Sequence, residues 1–386
     1  MNFITFSPHF PPNFIPFTTS LHRLGVNVLG LGDEPFDSLP QELKFSLTEY
    51  YWVSNQHNYD ELVRALGFYT HRYGKIDRLE SHNEYWLESD ARLRTDFNIS
   101  GFKTGDLARV KRKSEMKAMF QKAGLACARG CLCADLTAAM ALVEETGFPL
   151  VAKPDIGVGA YRTYKIANLA QLEAFFEARP PMDYIFEEFV KGKIQTFDGL
   201  VDQDGKIVFN ASLEYSEGVM DLVNHGLDFH YFTQRKIAPE LEHAGRRLVK
   251  VYNLRERFFH FEFFLTPEGK YVGLEVNMRP PGGLTVDMWN YANEINIFDE
   301  YANVVVNNRF TGVATRPYFC GYVGRRNSHT YLISHKQALA AFPQQIVSAQ
   351  PINGIFAAAL GDFGYLIRSP ELQEIEEISN YLLKKA

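Results

Sequence analysis

The 386-residue chain is 46% hydrophobic and 22% charged, with a formal net charge of -6. This excludes a mostly disordered polypeptide and leaves no basic excess for a dedicated nucleic-acid binder. No apolar stretch approaches the ~20 residues of a membrane-spanning helix, and Pro8, Pro11 and Pro12 interrupt the opening where a signal peptide needs an unbroken apolar core; with only four cysteines, a reducing cytoplasm is the expected compartment.

In chain order, Phe3–Phe6, Pro11–Leu24 and Val26–Leu31 read as strand, helix and strand, the alternation of a parallel sheet with helices on its faces. The turn after the first strand, Ser7 to Pro12, holds no glycine, so a Rossmann-type dinucleotide site is unsupported. Asp60–Tyr73 and Glu80–Phe97 carry apolar residues at helical spacing. Arg109–Gly124 reads as one basic helix with a glycine stop. From Phe148 the texture changes. Phe148–Ala152 is a buried strand, Leu169–Arg179 a helix and Tyr184–Phe186 another strand, and hairpin turns follow at Asp202–Gly205 and Thr266–Gly269. A mixed tail ends in a helix over Pro370–Lys385. Boundaries are expected near residues 105, 192 and 310, in an α/β and α+β chain.

The strongest chemical signal is the hairpin Phe258–Leu265, turn, Tyr271–Asn277. Glu262 and Glu275 stand at nearly equal distances from the turn, so antiparallel pairing sets them roughly opposite, and Asn277 shares their face. Facing like charges in apolar strands are destabilising, and a buried unpaired carboxylate costs several kcal/mol. A divalent cation removes both penalties, and two carboxylates with an amide oxygen suit Mg²⁺. The competing interpretation puts both acids on a solvent face, but phenylalanines dominate the strands.

Two further segments gain weight from their company. Phe148-Pro-Leu-Val-Ala-Lys153 delivers a lysine to a strand end, followed by a loop containing Asp155, Gly157 and Gly159, where backbone N–H groups can approach phosphate. Alone, such a segment is equally a surface edge. In Tyr184-Ile-Phe-Glu187-Glu188-Phe-Val190, an apolar strand runs into two acids and exposed backbone that could border a purine base, or ends in solvated glutamates.

In order and spacing these pieces resemble the ATP-grasp superfamily of carboxylate–amine ligases over about residues 80–310. Glu275-Val-Asn277-Met-Arg279-Pro-Pro-Gly-Gly283 looks like that superfamily's Glu-x-Asn-x-Arg-Pro-x-Gly signature. The resemblance implies an ATP-grasp fold of two α+β lobes preceded by a Rossmann-like domain. Residues 1–105 would form the preceding domain, 106–192 the small lobe and 193–310 the large lobe, with 311–386 completing it. It implies that Lys113 and Lys153 contact ATP phosphates under the loop from Asp155 to Ala160. Glu187 and the backbone of Glu188 and Val190 would hold adenine. Glu262, Glu275 and Asn277 would bind Mg²⁺, with Mn²⁺ as a substitute. Arg279, Lys153 and Asp198 would serve the chemistry. Ile194 stands where many relatives carry a ribose-binding glutamate, which would leave that contact to Glu187 or Glu188. The implied partners are a small-molecule carboxylate and an amine, of amino-acid or peptide type, with no nucleic acid or membrane; a homodimer is the base-rate expectation. Carboxylation, purine-type ligation and a silent nucleotide sensor are the rival functions.

Other features are read as structural. Cys131 and Cys133 would share a strand face as small apolar fillers, His225 and His230 would be loop histidines, and Arg235-Lys236 and Arg325-Arg326 would be solvated charge rather than anion clamps.

Overall fold

The computed structural model describes residues 1–157, 162–216 and 227–386; Gly159, Tyr161 and His225 lie outside them. The first sheet is fully parallel, in the order β3-β2-β1-β4, from β1 (Asn2–Phe6), β2 (Asn27–Gly32), β3 (Glu49–Trp52) and β4 (Arg78–Glu80). Its central strands are buried along almost their whole length, as a sheet covered on both faces requires. Alternation sends Ile4, Phe6, Leu29 and Leu31 to one face, against helix Tyr59–Tyr73. Phe3 and Val28 go to the other, where they join a cluster with Phe17, Trp289, Phe298 and Tyr301. On that face helix Ile15–Arg23, which carries Phe17 and Leu21, packs in turn on helix Ile297–Asn307, beyond the glutamate hairpin.

The second sheet is antiparallel, in the order β5-β8-β6-β7, from β5 (Gly130–Leu132), β6 (Leu150–Pro154), β7 (Tyr164–Ile166) and β8 (Tyr184–Glu188). The third, also antiparallel, contains β9 (Lys193–Val201), β10 (Ile207–Ala211), β11 (Leu213–Tyr215), β12 (Phe229–Thr233), β13 (Arg257–Leu265), β14 (Tyr271–Asn277), β15 (Phe319–Arg325), β16 (Ile346–Pro351) and β17 (Phe363–Ser369). Its order among the described residues is β14-β13-β9-β11-β12-β15-β17-β16, with β10 on β9. Both expected hairpin turns form, closed by Gly205 and Gly269 at φ +85° and +76°.

Two elements depart from expectation. Glu80 ends β4, and the helix begins only at Leu87, because Arg78–Glu80 pairs with β1. The Glu80 carboxylate lies 2.8 Å from buried Arg94 and 2.6 Å from Arg257 on β13. Arg257 also donates to the carbonyl of Met278 at 2.7 Å, tying the first sheet to the strand end that carries Asn277. The basic segment divides into Leu107–Lys111 and Lys113–Lys122. The break is made by buried Asp155. Its carbonyl accepts from Lys113 N (2.9 Å) and its carboxylate from Ser114 N (2.8 Å) and Arg112 (3.0 Å), so the second helix starts on Asp155.

Candidate active site

The glutamate hairpin sits in the wall of a cleft of about 1660 Å³, lined by strands of the second and third sheets and by segments that follow the strands of the first, among them Ser7, Asp33 and His82. Glu262 pairs directly with Glu275, and His260 with Asn277. This register depends on a β-bulge. From the turn, Leu265 pairs with Tyr271 and Phe263 with Gly273; the ladder then skips Leu274. Without the skip, Glu275 would oppose Phe261 and face away from Glu262.

The two acids have cationic partners of their own, which corrects the expectation that only a shared metal ion reconciles them. Lys113 Nζ lies 3.1 Å from Glu275 and donates to the carbonyl of Gly157 at 2.8 Å. Burial alone would raise the Glu275 carboxyl, but Lys113, Lys153 and Arg279 outweigh it and hold it below the ordinary carboxylate range. Glu262 lies 3.2 Å from Nε2 of His260, whose Nδ1 is 2.7 Å from Asp198. Burial disfavours the imidazolium, yet the carboxylates on both sides push its pKa up to about 9. His260 was missed in the sequence, although it alternates onto the face of Glu262.

Asp198 is fully buried, accepts from Thr196 Oγ1 at 2.6 Å and does not line the cleft. It bears on the site through His260, which corrects the expectation of a directly acting acid. Asp155 is likewise absent from the cleft lining and serves as the helix anchor described above, not as a phosphate contact.

On the opposite wall, Lys153 and Lys117 both pair with Glu187, all three side chains being about nine-tenths buried. Burial pushes the Glu187 carboxyl up, but the two lysines overcome it and keep it low. Lys117, four residues after Lys113 and therefore on the same helix face, was also missed. Glu188 is held by Arg129, its N–H is committed to the carbonyl of Arg129, and Val190 lines the cleft beside it. With Glu187 and Glu188 so engaged, neither carboxylate stands free for a ribose.

Arg279 faces the cleft, its Nε 3.4 Å from Glu84. Among the described residues no three His, Cys, Asp or Glu side chains form a metal cluster. The hard oxygen donors present are Glu262, Glu275 and the amide of buried Asn277, on one face of the hairpin, and this chemistry fits Mg²⁺.

The residues set aside earlier are mostly structural. Arg325 is buried and donates to the carbonyls of Leu382 and Ile333. Arg326 donates to those of Leu227, Ala357 and Ala358, and Arg235 to those of Arg316 and Pro370. Cys131 is exposed and Cys133 buried, so they do not fill one apolar face.

The chain has the ATP-grasp fold. It matches an L-amino acid ligase from Bacillus licheniformis with a TM-score of 0.75 and 16% identity, over 99% of this chain and 96% of that one. It matches N5-carboxyaminoimidazole synthetase from Staphylococcus aureus, complexed with ADP, with a TM-score of 0.73 and 12% identity, over 97% and 95%. In sequence it is similar to an L-arginine-specific L-amino acid ligase of Bacillus subtilis, 20% identical over 280 residues, 67% of each chain. No protein-family model matches.

Proposed function

We propose that the protein is an ATP- and Mg²⁺-dependent ligase that activates a carboxylate as an acyl phosphate and joins it to an amine, with amino acids or peptide-like molecules as substrates. The carrying observation is the convergence of Glu262, Glu275, Asn277, Lys113, Lys153 and Arg279 on one cleft between the sheets. The division into residues 1–105, 106–192, 193–310 and 311–386 is adopted with it, as are a cytoplasmic location and a homodimer.

In the first step the substrate carboxylate oxygen bonds to the γ-phosphorus while the bond to the β–γ bridging oxygen breaks, leaving acyl phosphate and ADP. In the second, the amine nitrogen bonds to the carbonyl carbon, the carbon–oxygen bond to phosphate breaks, and the nitrogen loses a proton to solvent. An anion must meet an anion, so the site has to supply positive charge at the transferring oxygens. Lys113 and Lys153 hold the phosphates, with Gly157 beside them in the cleft lining. Arg279 faces the transferred group. Glu187 and the backbone at Glu188 and Val190 border the base. Glu262, Glu275 and Asn277 hold the cation, which supplies further neutralisation when bound, and Asp198 orients His260 against Glu262.

The test is ADP and phosphate release over paired acids and amines, with Glu275→Gln alongside. Loss of one such contact is expected to cost ~3 kcal/mol in the transition state, on the order of a hundredfold in rate. Unchanged turnover in the variant would contradict the metal assignment. Nucleotide binding without any ADP formed would point to a silent sensor.

A further inference from the structure

Glu84 belongs to none of the motifs above. It lies between β4 and helix Leu87–Asp96 and lines the cleft, with its side chain only 13% exposed. Burial pushes its carboxyl up, Arg279 opposes this, and Glu275 adds to it. A third acid beside Glu275 is costly unless another cation arrives. Arg279 is already shared, since it also donates to the carbonyl of Pro280 at 2.9 Å. Together Arg279 and Glu84 present the cleft with one cation and one anion side by side, the complement of a zwitterion.

A second observation concerns helix Gly354–Leu360, Gly-Ile-Phe-Ala-Ala-Ala-Leu, which contains no buried residue; Ile355 is 74% exposed. The helix is nevertheless fixed in place. Asn353 caps it at Ile355 N, Tyr322 Oη donates to the Leu360 carbonyl at 2.8 Å, and Arg326 holds the carbonyls of Ala357 and Ala358. Phe356 stacks on Phe10 at 5.6 Å, and Ile355, Phe356, Ala359 and Leu360 line the same cleft as Glu84. The helix abuts the end of the signature segment, for a Cβ on Gly283 would come within 2.7 Å of Leu360 Cδ1. An apolar wall and a pair of opposite charges lining one cleft fit a ligand with a zwitterionic head and an apolar tail.

We propose, on the basis of the ligase reading, that the acid substrate is an α-amino acid with a bulky aliphatic or aromatic side chain. Its ammonium sits on Glu84, its carboxylate is directed toward Arg279, and its side chain lies against Phe10, Phe356 and Leu360. Glu84 then has a chemical task beyond affinity. By favouring the protonated ammonium it keeps that nitrogen from attacking, and leaves attack to the amine of the second substrate.

Hydroxylamine captures an acyl phosphate as a hydroxamate, so selectivity for the acid can be read without knowing the natural amine. The full-length protein with MgATP and hydroxylamine is assayed with L-leucine, L-phenylalanine, L-alanine and 4-methylpentanoate, which is leucine without its ammonium. Leucine and phenylalanine should exceed alanine and 4-methylpentanoate by about tenfold or more in kcat/KM. Glu84→Gln, which also loosens Arg279, should lower leucine by about 10- to 100-fold more than it lowers 4-methylpentanoate. Phe356→Ala, on an exposed helix, should retain the wild-type melting temperature and bring leucine and phenylalanine down toward alanine. The proposal is overturned if 4-methylpentanoate matches leucine, or if both variants lower all four acids equally; hydroxamate still forms in those cases and the ligase reading stands. Absence of ADP with every acid would sink the ligase reading itself, and this proposal with it.

Discussion

Substituting Glu187 by Gln keeps the shape of β8 but leaves Lys117 and Lys153 without their shared counter-charge. Removing one partner from a buried ion pair costs ~3–5 kcal/mol. Lys153 lines a wide cleft and can turn toward water, so roughly 2–3 kcal/mol is expected here. The loss should be local to the second sheet, because β6 and β8 carry Lys153 and Glu187 and pair with each other. A global melt of a chain with several sheets is a poor gauge of such a change. Hydrogen exchange measured on peptides spanning residues 150–154 and 184–188 is a direct one. An opening free energy lower by that amount means exchange on the order of 30- to 150-fold faster. Lys117→Met leaves Glu187 paired with Lys153 and should accelerate exchange far less. Added MgADP or tripolyphosphate, which offers negative charge to Lys153 in the cleft, should restore part of the protection to the Glu187→Gln variant. Exchange unchanged by Glu187→Gln would refute the view that this carboxylate holds the two lysines in place.

Gly245→Ala should destabilise the protein even though alanine favours a helix by ~1 kcal/mol, because the new Cβ would sit 1.9 Å from the Phe197 ring and overpacking costs ~1–3 kcal/mol; a lower urea midpoint is the expected result. His82, stacked on Phe17 at 4.3 Å, is kept neutral by burial, with its pKa lowered to about 4. The unfolded chain therefore takes up that proton first, and stability should fall as pH drops from about 6.5 to 4, by about 3 kcal/mol in all; His82→Asn should flatten that part of a pH-dependent urea titration. Asp155→Ala removes the acceptor for Ser114 N and the partner of Arg112. It should fray the start of helix Lys113–Lys122 and weaken MgADP binding several-fold by calorimetry.

The glutamate hairpin was legible because a glycine-closed turn pins the register of two apolar strands, yet its facing acids also depend on a bulge at Leu274 that leaves no mark in composition or spacing. Lys117 and His260 were within reach, one at helical spacing from Lys113 and the other at strand spacing from Glu262. Asp155 looked like a phosphate-loop residue because a charged side chain beside glycine invites that assignment. Its real partners stand about forty residues earlier in the chain, and a contact so distant in sequence has no local periodicity to reveal it. Glu84 lies in an irregular segment with no pattern at all, and only the approach of Arg279 gives it meaning.

The pairing of β12 with β15 makes residues beyond 310 an interior part of the largest sheet. Chain termination there would strip β12 of its outer neighbour and bare a ladder of unsatisfied amides. A shortened chain should self-associate, so the last seventy-odd residues belong to the folding unit and cannot be treated as a removable appendage.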